Sequence, residues 1–325
     1  MAAATKTPAA ETNRVLVDDG LAGRASGIEG PDMLPESCAQ RNSTINVASS
    51  LMRGFSLEAT LPNQTELEAL RDMLPSTTEI FVAAPPGRPH SRVAETAKRV
   101  RKAGFEPVPH IAARNYESAE SLGDFVERIC GEAGVRRVLV IAGDVDRPAG
   151  PYLGANAVIE TDLLQCHGIR EVGVSGYPDG HPKLSDQIVA RALRTKLKSA
   201  EERNLKIQIV SQLCFDADKI AAWMKWLRMS GINVPVSIGL AGPTSLRGLA
   251  RFALMCGVRN SFKAFVSGKT GQLVGEASPD DIIHNLSEAL DLSMLGQISI
   301  HLYSYGGLVR TANWAKDFQA RFVDG

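Results

Sequence analysis

The chain has 325 residues, 44% hydrophobic and 22% charged, with 36 basic side chains balancing 36 acidic ones. That composition supports a large globular core and excludes a global field that would recruit nucleic acid or an anionic membrane. The five cysteines, Cys38, Cys130, Cys166, Cys214 and Cys256, are widely spaced with no C-x-x-C, which argues against a disulfide framework or zinc cluster and fits a reducing cytoplasm. The N-terminus has no apolar core of the signal-peptide kind and no stretch reaches membrane-spanning length, so a cytoplasmic protein without membrane contact is expected.

Residues 1–48, rich in Ala, Gly, Pro and polar residues, show no sustained period and read as a flexible or surface-packed tail. Residues 49–325 then alternate short apolar runs with amphipathic stretches, the pattern of parallel strands joined by crossover helices. GFSLEAT leads into NQTELEALRDML, where Leu67, Leu70 and Leu74 share a face and Asn63 with Glu66 forms a capping box. EIFVAAPP pairs with SRVAETAKRVRKAG, and EPVPHIAAR with a helix carrying Leu122, Phe125, Val126 and Ile129. RRVLVIAGD is followed by a helix near 154–167, and EVGVSGYPDGHP by a basic helix across 184–204. IQIVSQLC precedes a helix opened by Asp216, in which the spacing of Trp223 and Met224 points to core packing. VPVSIGLAG, the helix SLRGLARFALMCG and a further helix around 279–292 lead to QISIHLYSYG and a last helix through Trp314. Eight strands alternating with at least eight helices predict an eight-fold β/α (TIM) barrel with an N-terminal extension.

In such a barrel the active site lies where the strands end. Glu58, His110 and Asp144 end the first, third and fourth strands, Tyr177 and His181 follow the fifth, and Gln212 lies near the end of the sixth. Each alone reads as an exposed polar residue; six at one mouth read as a site. The sequence holds no G-x-G-x-x-G after its first strand, no G-x-x-x-x-G-K-S/T and no H-E-x-x-H, and its GVSG falls short of a nucleophile elbow. A metal held by His110, Asp144 and His181 is a lesser alternative to a metal-free site. The basic run from Arg191 to Lys206 reads as a solvated helix face, with one lysine compatible with a cofactor.

SLEATLP, PVPHIAA, IAGD, VGVSGYPDGHP and SQLCFDADKIAAWMKWLRMSGINVPVSIGL resemble, in order and spacing, segments of the methylenetetrahydrofolate reductase family, over roughly residues 52–318. The family holds FAD and a folate in one barrel. The resemblance implies an oxidoreductase of one-carbon metabolism that interconverts 5,10-methylenetetrahydrofolate and 5-methyltetrahydrofolate, with the methyl-folate-oxidising direction open to a divergent copy and NADH or NADPH as electron partner. Its partners are then tetrahydrofolate derivatives, and a homo-oligomer stays open. Glu58 takes the place of the general acid at N10 of the folate, a role that an apolar mouth favouring the neutral carboxyl supports. Asp144 matches the carboxylate near flavin and pterin, Gln212 the amide that bonds the pterin, and Phe252 an aromatic that stacks on substrate. His110, Gly143, Asp144, Ala155, Tyr177, His181 and Lys196 match FAD contacts.

The chain also departs from the family. AAPPGRPHS replaces a T-Y-G-A-G-G-S-like turn, Ala142 stands for the arginine of L-R-G-D, and LYSYGGL puts Gly306 and Gly307 where the family has Asn-Arg. These changes remove polar contacts to FAD, so a folate-binding barrel, or a flavin-independent one-carbon enzyme, is the alternative.

Overall fold

The eight apolar runs become eight parallel strands in a computed structural model that describes residues 38–258, 262, 276–291 and 296–322. They are β1 (Ser56–Ala59), β2 (Glu79–Val82), β3 (Glu106–Ala112), β4 (Arg137–Ile141), β5 (Glu171–Gly176), β6 (Lys206–Ser211), β7 (Val236–Ala241) and, after two short strands described below, β10 (Ile298–Tyr303). Each pairs with the next in parallel, and β10 closes on β1, so the sheet is a barrel without an edge. Its register sets Glu58 beside Phe81 of β2 and Tyr303 of β10.

Strand alternation sorts side chains between two cores. Ile80 and Val82 join the large cluster between strands and helices, while Phe81 joins Val108, Leu139 and Val210 in a small cluster inside the barrel. At the N-terminal end of the strands Arg137 pairs with both Glu79 and Glu171, and Lys206 lies 3.8 Å from Glu171. These charges close the foot of the barrel, the end that serves stability rather than chemistry.

The helices are α1 (Cys38–Met52), α2 (Gln64–Ala69), α3 (His90–Lys102), α4 (Ala119–Ala133), α5 (Ala155–Ile159), α6 (Leu163–Cys166), α7 (Asp186–Glu201), α8 (Ala217–Met229), α9 (Leu246–Cys256), α10 (Asp280–Ala289) and α11 (Leu308–Ala320). The capping box of α2 forms between Asn63 and Glu66, and Asp216 caps α8 through the backbone N–H of Lys219. Met224 is fully buried and Trp223 packs against the core. Among the described residues no helix is long and apolar enough to cross a membrane.

Three features differ from the sequence reading. Residues 38–48, placed in the tail, belong to α1, which contributes Ala48, Leu51 and Met52 to the core. Among its described side chains the buried ones lie at the C-terminal end, and its polar first half hides the period; residues 1–37 lie outside the described residues. The helix near 154–167 is broken into α5 and α6, because the Thr161 hydroxyl takes the Val158 carbonyl at 2.7 Å and Arg203 takes that of Glu160 at 2.8 Å. Finally, Thr244–Ser245 (β8) and Glu276–Ala277 (β9) form an antiparallel ribbon too short to show alternation.

Gly239 makes the mouth possible. A Cβ there would lie 2.4 Å from the Ser211 carbonyl oxygen and 2.7 Å from the Tyr303 ring, which passes over the glycine to donate its hydroxyl to that carbonyl at 2.9 Å. Gly239→Ala is expected to destabilise the fold by about 2 kcal/mol through overpacking. Urea denaturation checks this, and an unchanged midpoint contradicts it.

Candidate active site

A cavity of about 650 Å³ opens where the strands end. Glu58, His110, Asp144, Tyr177, Gln212 and Phe252 all line it: Glu58 and His110 stand on β1 and β3, Asp144, Tyr177 and Gln212 follow β4, β5 and β6, and Phe252 lies on α9. His181 stands one layer back, its ring edge-on to Tyr177 at 4.8 Å and its Nδ1 accepting the Lys183 N–H at 3.1 Å. Gly143 sits beside Asp144 with φ +91°, a left-handed conformation that suits glycine. Ala155 opens α5 and is buried. Lys196 is not among the cavity-lining side chains; burial on the inner side of α7 lowers its ammonium to about 8. Among the described residues no three His, Cys, Asp or Glu side chains are arranged to hold a metal, so the His110–Asp144–His181 alternative is not assembled.

The centre of the site is a cluster that sequence reading captured only in part. Glu58 Oε2 lies 3.3 Å from His110 Nε2 and 3.6 Å from Nε2 of His301, a residue missed at the sequence level. Neither nitrogen has a partner in hydrogen-bonding geometry, although His110 is 6% exposed and His301 fully buried. On its other side His301 Nδ1 meets the Ser56 hydroxyl at 2.8 Å, and Phe81 packs edge-on against its ring at 4.6 Å. Period-two alternation carries the missed signal: in ISIHLY, Ile300 and Leu302 face the outer core, which turns His301 and Tyr303 inward.

Two influences pull on the Glu58 carboxyl in opposite directions. Burial is the largest and favours the neutral form, but His110 and His301 together outweigh it and hold the pKa below the usual carboxylate value of 4.5. His110 is also held down, because burial opposes its charge more than Glu58 supports it. Groups this close titrate as a set.

The opposite wall is aromatic. Tyr305 stacks on Phe252 with ring centres 3.7 Å apart and planes within 11°, and Tyr303 lies parallel to Tyr305 at 5.5 Å. Burial drives both tyrosine hydroxyls well above their ordinary range, so they stay protonated. Gln212 Oε1 accepts the Leu213 N–H at 2.9 Å, which fixes the amide and leaves its NH2 to donate.

A closed β/α barrel with buried ionisable groups facing a cavity at the strand ends has the architecture of a barrel enzyme. The chain belongs to the methylenetetrahydrofolate reductase family, whose family model matches residues 64–263, more than half of its length. Over 134 residues it is 30% identical to methylenetetrahydrofolate reductase 1 of Schizosaccharomyces pombe, covering 39% of this chain and 22% of that protein. Over 160 residues it is 25% identical to methylenetetrahydrofolate reductase 2 of Saccharomyces cerevisiae, covering 46% of this chain and 26% of that protein. The chain thus spans about a quarter of the length of these relatives. Among solved structures, dihydropteroate synthase from Thermus thermophilus superposes with a TM-score of 0.44 at 15% identity, over 82% of this chain and 92% of that one.

The low pKa of His110 has a consequence for stability. Unfolding lets its imidazole return to 6.5, so below that pH the unfolded chain binds more protons and stability falls as pH falls. Glu58, also depressed when folded, adds a second loss only below its ordinary value of 4.5. Urea midpoints are expected to decline from about pH 6.5 downward in the wild type and less steeply in His110→Gln. Equal slopes contradict this account.

Proposed function

We propose that this mouth interconverts 5-methyltetrahydrofolate and 5,10-methylenetetrahydrofolate, with residues 49–325 as the catalytic domain. The observation that carries the reading is the Glu58 carboxylate, set in the cavity between two buried imidazoles whose Nε2 atoms lack hydrogen-bond partners. In the reducing direction the bond from the bridging carbon to N10 breaks, N10 gains a proton, and the resulting N5 iminium carbon gains a hydride. Oxidation reverses each step: the methyl carbon gives up a hydride and the closing ring gives up the N10 proton.

Glu58 is the group that exchanges this proton, with His110 and His301 flanking its carboxyl. As a carboxylate Glu58 accepts the N10 proton in the oxidising direction, and in its protonated form it returns that proton in the reducing one; ligand that expels water adds to its burial and favours the proton once taken. Asp144 places a fixed negative charge near the cationic iminium, and Gln212 donates its NH2 to the pterin edge. Phe252 offers its face to the substrate.

The hydride needs a carrier, a flavin or NADH and NADPH. The wall suits the ring system of a flavin, with His110 and Tyr177 to face it. It does not suit the diphosphate of FAD. Among the described lining residues Glu58, Glu66 and Asp144 are acidic and none is Lys or Arg, and Pro85 and Pro86 have no N–H to donate. Arg114 donates to the carbonyls of Leu153 and Val145, and Lys183 pairs with Asp146. The same misfit favours, as second reading, a barrel that binds folate without redox chemistry.

Glu58→Gln is expected to lower turnover of 5-methyltetrahydrofolate, with a flavin or nicotinamide acceptor, by at least about 100-fold while affinity stays within a few-fold. Steady-state kinetics beside titration calorimetry measure both. An unchanged rate rejects Glu58 as the proton carrier; tight folate binding by the wild type without turnover under any acceptor selects the second reading.

A further inference from the structure

His110 and His301 flank the same carboxylate from unequal places. His110 lines the cavity, whereas His301 is fully buried and is not among the lining side chains. Ligand in the cavity therefore meets Glu58 without meeting the His301 ring. Ser56 and Glu58 stand two residues apart on the inward face of β1, and the two nitrogens of His301 address them separately: Nδ1 the Ser56 hydroxyl at 2.8 Å, Nε2 the Glu58 carboxyl at 3.6 Å. The ring is packed edge-on against Phe81 at 4.6 Å and against Tyr303 at 4.9 Å, and Tyr303 is itself anchored by its hydroxyl to the Ser211 carbonyl.

The two partners differ in what they can do. A carboxylate only accepts, so Nε2 attracts it only when that nitrogen carries a proton; a hydroxyl donates or accepts, so Ser56 can serve Nδ1 in either state. One arrangement suits all three groups: Ser56 O–H donates to Nδ1, and the imidazole proton sits on Nε2, which has no other acceptor in hydrogen-bonding geometry.

We propose that His301 is a positioning residue for Glu58: Ser56 donates to its Nδ1, which places the ring proton on Nε2, and that N–H steadies the Glu58 carboxylate from the side that ligand does not reach. Only its effect on turnover rests on the folate reading. The other ionisable groups around this pair are His110 on β3 with Asp144 beyond it, Glu79 on β2, Tyr303 on β10, and Cys256 and Tyr305 across the cavity. All of these stay in place in the variants below.

Ring-15N labelling of the ligand-free protein reads the tautomer directly. Near neutral pH His301 is expected to show a bare Nδ1 and a protonated Nε2; a proton on Nδ1 overturns the proposal, whether or not any variant folds. The Glu58 carboxyl is then titrated by 13C NMR in wild type, in His301→Phe, which keeps a ring without a donor, and in His301→Gln, which offers an amide N–H in place of Nε2. The midpoint is expected to rise by about one pH unit or more in His301→Phe and to stay within about half a unit in His301→Gln. An unmoved midpoint in His301→Phe, or an equal rise in both, overturns the proposal. In kinetics, oxidation of 5-methyltetrahydrofolate needs the carboxylate and the reverse reaction needs the carboxyl. The acid limb of the first and the alkaline limb of the second are therefore expected to move together to higher pH in His301→Phe, with KM within about two-fold. A raised Glu58 midpoint with unmoved limbs supports the Ser56–His301 contact and rejects Glu58 as the proton carrier.

Discussion

A largely buried carboxylate at the cavity wall, flanked by two imidazoles, is the constraint around which this mouth is organised. Glu58 is brought to His301 by the closure of β10 on β1, and to His110 by the pairing of β1 with β2 and of β2 with β3. The three side chains come from distant parts of the sequence and meet only if the barrel closes in register. A slip of one residue in β1 would turn Glu58 outward into the apolar layer, where an unpaired charge is costly. Fold and chemistry are coupled here: the same pairing that seals the sheet fixes the state of the proton.

Much of the architecture was legible because each barrel strand is a short apolar run bounded by turn signals, and because caps such as Asn63 and Asp216 act locally. The polar residues at strand ends were legible for a related reason, since a parallel barrel gives every strand end the same address. What stayed hidden depends on contacts remote in sequence. The acidity of Glu58 is set by burial opposed by His110 and His301, and no inspection of SLEAT reveals it. The break between α5 and α6 is made in part by Arg203, from the end of α7.

The departures from family sequence acquire physical content in the same way. Gly306 stands where a side chain has no room, so this turn excludes any larger residue at that position. The Pro85–Pro86 segment trades backbone donors for a rigid apolar edge on the cavity. Both changes shift this wall away from anion binding and towards flat, neutral surfaces.

The ion pairs of Arg137 with Glu79 and Glu171 lie at the foot of the barrel, far from any chemistry proposed for the mouth. Above them Phe81, Val108, Leu139 and Val210 fill the interior, so the barrel is a packed core rather than a channel, and reactants meet Glu58 from the cavity at the strand ends. Two reactants that must both reach Glu58 share that cavity, either lying together in it or taking turns. Either way they meet on the same side of the carboxylate, and the order of arrival and departure becomes part of the catalytic cycle.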